Sequence, residues 1–431
     1  MFVKTYMKQQ WSSSINFILA AAGSAIGLGN IWKFPKYAFE GGGGAYILVY
    51  LIIVAILGTA VLLAEFALGR ATGENMLMAF PRGRGWIGYL GVATAFLVLC
   101  YYFQAGGRVL RYLWGYLSDA GGMFLGSEQV YLKMTGFQGF PFEGAVLFPL
   151  IYILLNAWIV QGGVQRGIER LSRIAMPVMI VLLVVLMVRA LSMDGASRGV
   201  SFLLHIDFST LGFDGLISAL GQAFFSLSIG MSVMVTYGSM LGRKEPLFKN
   251  AVWVCALDTL TALMAGFILI PAVFAVGSSP SGGDSFAFVE ITAVFVGMRG
   301  GAFFALLFYA LLFFAAIVSS VSILAGVLCC IEDRWGISRG RATVWVCALA
   351  LALGVVYTAA SWGGWLEIIT DRWLMPIVAL LTCLYVGWEF DQKRLRLELS
   401  GSAKGFKLWG FLIRFVAPLA IVAILILSLW Q

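Results

Sequence analysis

Residues 22–35 read Ala22-Gly-Ser-Ala-Ile-Gly-Leu-Gly-Asn-Ile-Trp-Lys-Phe-Pro35, inside a long apolar run that begins near Trp11. A continuous helix in hydrocarbon disfavours this composition. Each glycine costs roughly 1 kcal/mol in a helix interior, and Asn30 and Lys33 are expensive at membrane depth unless they line a cavity or find partners. The stretch therefore predicts a broken helix. A break presents free backbone N–H groups at the start of one half and free carbonyls at the end of the other, an anion site beside a cation site. A carrier of a zwitterion together with a metal ion needs that pair.

The rest of the chain agrees with a bilayer. Of 431 residues, 61% are hydrophobic and 12% charged, with 14 Trp and 33 Phe, which excludes a soluble domain. Apolar runs of about 20 residues recur, and eleven spans are expected, near 12–38, 44–68, 86–117, 143–161, 168–190, 213–240, 250–276, 300–331, 340–360, 365–388 and 409–430. The whole of 1–431 reads as one polytopic helical domain.

The net charge of +8 does not call for a nucleic-acid partner, because the basic residues fall in alternate connections. Lys4 and Lys8; Arg70, Arg82 and Arg84; Arg166, Arg170 and Arg173; Arg243, Lys244 and Lys249; Arg334, Arg339 and Arg341; and Lys393 to Arg414 mark one side. By the positive-inside rule that side, with the N-terminus, is cytoplasmic, and an odd span count puts Gln431 outside. The six cysteines read as small buried hydrophobes, and the lone His205 cannot make an ordinary metal site. With no Asn-x-Ser/Thr acceptor and no cleavable signal ahead of the first span, a bacterial inner membrane is the expected location.

Residues 221–232, Gly-Gln-Ala-Phe-Phe-Ser-Leu-Ser-Ile-Gly-Met-Ser, repeat the anomaly five spans later. Two interrupted helices in corresponding places predict an inverted repeat with the binding site between the breaks. Residues 1–190 and 213–388 would be the repeats, and 409–430 an addition. Asp258 in the seventh span is a cation ligand or a proton carrier, since an unpaired charge there costs several kcal/mol. Glu65 is a solvated or Arg-paired terminus or a group packed inside the bundle, and Tyr101 and Tyr102 are core aromatics or cavity hydroxyls. Gly167 to Pro177 either lets the cytoplasmic end of span five unwind or is an ordinary helix start with proline in its first turns. Ser319 and Ser320 either bond back to their helix or face a cation.

Taken together, the run at 22–35, Glu40-Gly-Gly-Gly-Gly-Ala45, Gly221 to Ser228 and the doubled serine resemble the neurotransmitter:sodium symporter family, whose prokaryotic members take up amino acids on the LeuT fold. The resemblance covers nearly the whole chain. It implies an all-α integral membrane protein with a 5+5 inverted repeat, broken helices 1 and 6, and sodium-coupled import of a neutral, hydrophobic amino acid. It also implies residue roles. The amides of Leu28 and Gly29 and the Tyr102 hydroxyl would hold the substrate carboxylate, and the carbonyls of Ala25, Phe225 and Ser226, with Ser228, the ammonium. Ser24, Val98, Ala105, Phe225, Met231, Ser320 and Ile323 would line the side-chain pocket.

One sodium would lie among Ala25, Asn30, Ser226, Asp258 and the substrate carboxylate, and a second among Gly23, Ile26, Ala315, Val318 and Ser319. Lys33 with Glu367 would form the outer gate, and Lys8 with Asp333, beside Trp11, the inner one. Several positions depart from the family pattern. Lys33 replaces arginine, Met240 a tyrosine, Asp258 an asparagine and Ala262 a serine, so a fixed carboxylate would do the work of chloride. Val318 replaces a hydroxyl ligand, which leaves a water to fill the gap or a weakened second site. A proton-coupled carrier using Asp258, and a sensor that no longer transports, are the rival readings. An enzyme is not expected, because no set of nucleophile, base and orienter is present.

Overall fold

A computed structural model describes residues 10–118, 142–277, 286–296, 298–360, 364–399 and 403–429. Lys4 and Lys8 of the basic lead lie outside the described residues. All regular structure within them is helical: α1 (Ser14–Ala25), α2 (Gly29–Glu40), α3 (Gly44–Thr72), α4 (Gly85–Ser118), α5 (Phe142–Gln161), α6 (Gly163–Leu191), α7 (Ala196–Leu204), α8 (Gly212–Ser226), α9 (Val233–Ser239), α10 (Leu247–Ala275), α11 (Ile291–Val296), α12 (Gly301–Trp335), α13 (Arg339–Ala359), α14 (Trp365–Glu389), α15 (Gln392–Leu399) and α16 (Ala403–Leu427). In lipid only a helix satisfies its own backbone, which is why the apolar runs take this form.

Among the described residues nine helices are long and apolar enough to cross a membrane, and α1 with α2 makes a tenth span bent by 57°. The remaining expected span, 213–240, is divided into α8 of 15 residues and α9 of 7 by an unwound segment. Both interruptions fall where the sequence places them. They differ in chemistry, however. Span one breaks at Ile26, whose backbone is extended (φ −70°, ψ 94°), with glycines on the far side. Span six turns through left-handed residues, Ser228 (φ 53°), Gly230 (φ 78°) and Ser232 (φ 68°), and the two serines are the only non-glycine residues with positive φ among those described. Strain of this kind persists only where surrounding contacts enforce it.

Close helix approach holds the breaks in place. A Cβ on Gly69 of α3 would stand 1.9 Å from the Val235 carbonyl of α9, and one on Gly238 of α9 would stand 2.5 Å from the Phe66 carbonyl of α3. Each helix thus offers a glycine to the backbone of the other, the small-residue contact by which membrane helices pack. Gly69→Ala forces the two backbones apart and is expected to destabilise the protein by about 3 kcal/mol, read as loss of thermal stability in detergent. Gly340→Ala, on a helix position with nothing within 4 Å, is the matched substitution that leaves stability unchanged.

Candidate functional site

The two breaks face each other, and their polar groups answer one another. Asn30 sits on the π-turn Gly29–Lys33 at the head of α2, and its Nδ2 donates to Ser226 Oγ (2.8 Å), to the Asp258 carbonyl (3.2 Å) and to Asp258 Oδ1 (2.7 Å). Its Oδ1 accepts the Gly27 amide at 3.2 Å. The Ser226 hydroxyl lies 2.8 and 2.7 Å from the two Asp258 oxygens. All three side chains are buried, and both partners of the Asp258 carboxylate are neutral. Elements α2, α8 and α10 therefore meet on one carboxylate.

The orphan groups of the unwound segments are partly satisfied by side chains. Leu28 donates its amide to the Tyr102 hydroxyl at 3.1 Å, and Gln222 donates Nε2 to the Gly29 carbonyl at 3.0 Å. The Ser24 carbonyl accepts both Ser228 Oγ (3.1 Å) and Ser319 Oγ (2.9 Å). Spans three, six and eight are tied to the break of span one by these bonds. A Cβ on Gly27 would meet Tyr102 Oη at 2.6 Å and Ser319 Oγ at 3.2 Å, and one on Gly29 would meet Phe225 at 2.4 Å, so neither glycine has room for a side chain. Val98, Ala105, Met231 and Ile323 are buried, as are the Ala25, Ile26 and Ala315 positions beside them.

Ser320, expected in the pocket lining, is engaged elsewhere. Its hydroxyl donates to Asn156 Oδ1 (2.7 Å) and lies 2.8 Å from Tyr152 Oη, both on α5. Successive helix residues point about 100° apart, so of the two serines only Ser319 faces the break.

The pair expected at the outer gate, Lys33 and Glu367, has a nearer partner beside it. Lys33 Nζ is 3.3 Å from Glu367 Oε2 but 2.8 Å from Asp371 Oδ2, and it sits 4.1 Å from the centre of the Phe225 ring. Tyr101 Oη donates to the other Asp371 oxygen at 3.1 Å, which ties that tyrosine to the Lys33 ion pairs. Asp371 and Gln222 were visible in the sequence only as polar residues on an apolar span. A cavity of about 470 Å³ adjoins these ion pairs, lined by Lys33, Gln222, Phe225, Asp371 and Arg372 among others.

On the opposite side, Trp11 donates Nε1 to the Tyr237 carbonyl at 3.1 Å and packs edge-on against Tyr237 and Phe17. Asp333 accepts Asn75 Nδ2 at 2.5 Å, and Lys8 lies outside the described residues. Glu169, on the π-turn Gly163–Glu169 that opens α6, accepts the Ser12 amide (2.8 Å), the Ser12 hydroxyl (2.7 Å) and Asn16 Nδ2 (3.2 Å). The segment expected to unwind is wound here, and its Glu169 grips the start of α1. Glu65 is buried and accepts the Gly230 amide at 2.8 Å, so it braces the span-six break and does not pair with Arg70. Arg70 instead meets Glu398 of α15, Nε to Oε2 at 2.8 Å.

The model of the sodium:neurotransmitter symporter family matches residues 8–120 and 124–431. The chain belongs to that family. Members are transporters, not enzymes, and this symporter is sodium-dependent and embedded in a membrane. It is 34% identical over 444 residues, 96% of each chain, to YhdH of Bacillus subtilis, an uncharacterized sodium-dependent transporter. A sodium- and chloride-dependent GABA transporter 2 of Bos taurus is 27% identical over 304 residues, 61% of this chain and 50% of that one. The crystal structure of MhsT in complex with L-phenylalanine superposes with a TM-score of 0.89 at 32% identity, covering 97% of this chain and 99% of that one. The symporter therefore has the LeuT fold, with its first and sixth spans broken.

Proposed function

We propose that this symporter imports a neutral, apolar amino acid together with sodium by alternating access. The observation that carries the reading is the meeting of both helix breaks on the Asn30, Ser226 and Asp258 cluster. A carboxylate with neutral partners there is a site for a cation, and the Leu28 and Gly29 amides one step away suit a substrate carboxylate. In this reading the substrate displaces the Leu28 to Tyr102 hydrogen bond and takes both groups, while the Ala25, Phe225 and Ser226 carbonyls and Ser228 receive its ammonium. The first sodium lies among Ala25, Asn30, Ser226, Asp258 and that carboxylate. The second lies among Gly23, Ile26, Ala315 and Ser319.

Ser24, Val98, Ala105, Phe225, Met231 and Ile323 leave no charge for an acidic or basic side chain, and a flexible methionine repacks around different apolar shapes. L-Phenylalanine bound to MhsT supports the same substrate class. Asp258 supplies fixed negative charge, and Ala262, on the next turn of α10, offers no hydroxyl to a mobile anion, so chloride is not required. In this reading the N-terminus lies in the cytoplasm of a bacterial cell and Gln431 outside its inner membrane, an arrangement that the basic connections support. Residues 1–190 and 213–388 are the two repeats.

Counterflow of labelled amino acids in liposomes, with the sodium gradient, pH and chloride varied independently, tests this. Uptake of apolar amino acids driven by sodium and unchanged when gluconate replaces chloride is expected. Uptake driven by a proton gradient alone, or binding without counterflow, would favour the proton carrier or the sensor.

A further inference from the structure

Several buried hydroxyls of this bundle bond back to their own helices. Ser322 Oγ donates to the Val318 carbonyl (2.8 Å), Thr236 Oγ1 to the Ser232 carbonyl (2.8 Å) and Thr94 Oγ1 to the Leu90 carbonyl (2.8 Å), whereas the hydroxyls of Ser24, Ser172, Thr382 and Ser428 have no partner among the described residues. That habit costs a membrane helix little. Ser172 of α6 breaks it at a place where an oxygen is wanted. Its side chain is fully buried, its hydroxyl has no hydrogen-bond partner among the described residues, and it stands beside Gly23 in the last turn of α1. A buried hydroxyl left unmade costs about 1–3 kcal/mol, so an unpartnered one marks a strain or a missing ligand.

The neighbours of that hydroxyl favour a ligand. From the point where a Cβ on Gly23 would stand, Val318 Cγ1 is 2.5 Å away, Met176 Sδ 3.4 Å and Ser172 Oγ 3.7 Å. The second sodium proposed above has Gly23 as one of its carbonyls and loses a hydroxyl ligand at Val318. Of the three atoms around Gly23, only Ser172 Oγ is a hard oxygen. A methyl has no lone pair to offer and a thioether is too soft for an alkali cation.

We infer that Ser172, on span five, supplies the oxygen that Val318 lacks at the second sodium site of this symporter, a proposal that rests on the sodium-coupled reading above. The replacement moves one ligand from span eight to span five. It also joins the ion to the helix whose first turn, Gly163–Glu169, is π-helical and grips Ser12 and Asn16. Unwinding of that turn then withdraws a sodium ligand and frees the start of α1 in one movement.

Equilibrium binding of radioactive sodium to the purified full chain, at saturating L-phenylalanine, tests the inference with Ser172→Ala, Val318→Thr and the double variant. Wild type is expected to bind two ions. Ser172→Ala should raise the half-saturating concentration of the second about tenfold or more and leave the first unchanged, and Val318→Thr in the same chain should restore it to within about threefold. Val318→Thr alone should change affinity by less than about threefold, because the oxygen is already supplied. That arm decides the matter even where Ser172→Ala fails to fold, since a gain of about tenfold would mean the site was starved and Ser172 idle. Wild-type affinity in Ser172→Ala, a loss that Val318→Thr does not repair, or a wild type binding one ion each overturn the inference. A wild type that binds no sodium overturns the sodium-coupled reading as well.

Discussion

Replacing Asp258 by alanine is expected to raise the sodium concentration for half-maximal uptake by at least about 100-fold. Two effects act in the same direction. The substitution removes a charged oxygen donor from a fully buried cluster, and it takes from the Ser226 hydroxyl both carboxylate oxygens that accept from it at 2.8 and 2.7 Å, while Asn30 keeps the residue 258 carbonyl and Ser226 as acceptors. The stranded hydroxyl costs about 1–3 kcal/mol. Asp258→Asn keeps the shape and one acceptor oxygen, so its expected loss is smaller, about tenfold. Uptake measured over a sodium titration in liposomes separates the two variants. Equal half-saturation in wild type and Asp258→Ala would remove the carboxylate from the ion site.

The second large effect is expected at the outer closure. Asp371→Asn should speed release of bound amino acid about tenfold or more, whereas Glu367→Gln should change it about twofold. Asp371 is the nearer partner of Lys33, 2.8 Å against 3.3 Å, and its other oxygen is held by Tyr101, so it fixes the ammonium over the Phe225 ring. Release of radiolabelled substrate from the purified protein gives the rates. A larger effect at Glu367 than at Asp371 would reverse the assignment.

How far the sequence could be read depended on what specifies each feature. The break of span one is written in glycines and Asn30, residues that a membrane helix otherwise excludes, and it was legible. So was Asp258, because charge at that depth has few explanations. Features set by rotamer or by distant chain were not. Ser319 and Ser320 are neighbours, and only helix phase decides that one meets the Ser24 carbonyl and the other Asn156 and Tyr152. Glu367 and Asp371 are one turn apart on one face, so reach alone decides which lies nearer Lys33. Glu65 and Arg70 suggested each other by proximity, yet their partners are the Gly230 amide and Glu398, far along the chain in both cases.

The cluster at the two breaks makes one demand on any ligand. If the substrate carboxylate completes the first sodium site, each must strengthen the binding of the other by the same factor. Equilibrium binding of L-phenylalanine to the purified symporter, in sodium and in an inert cation at equal ionic strength, measures that factor. The account predicts affinity at least about tenfold higher in sodium. Equal affinity in the two salts would contradict it.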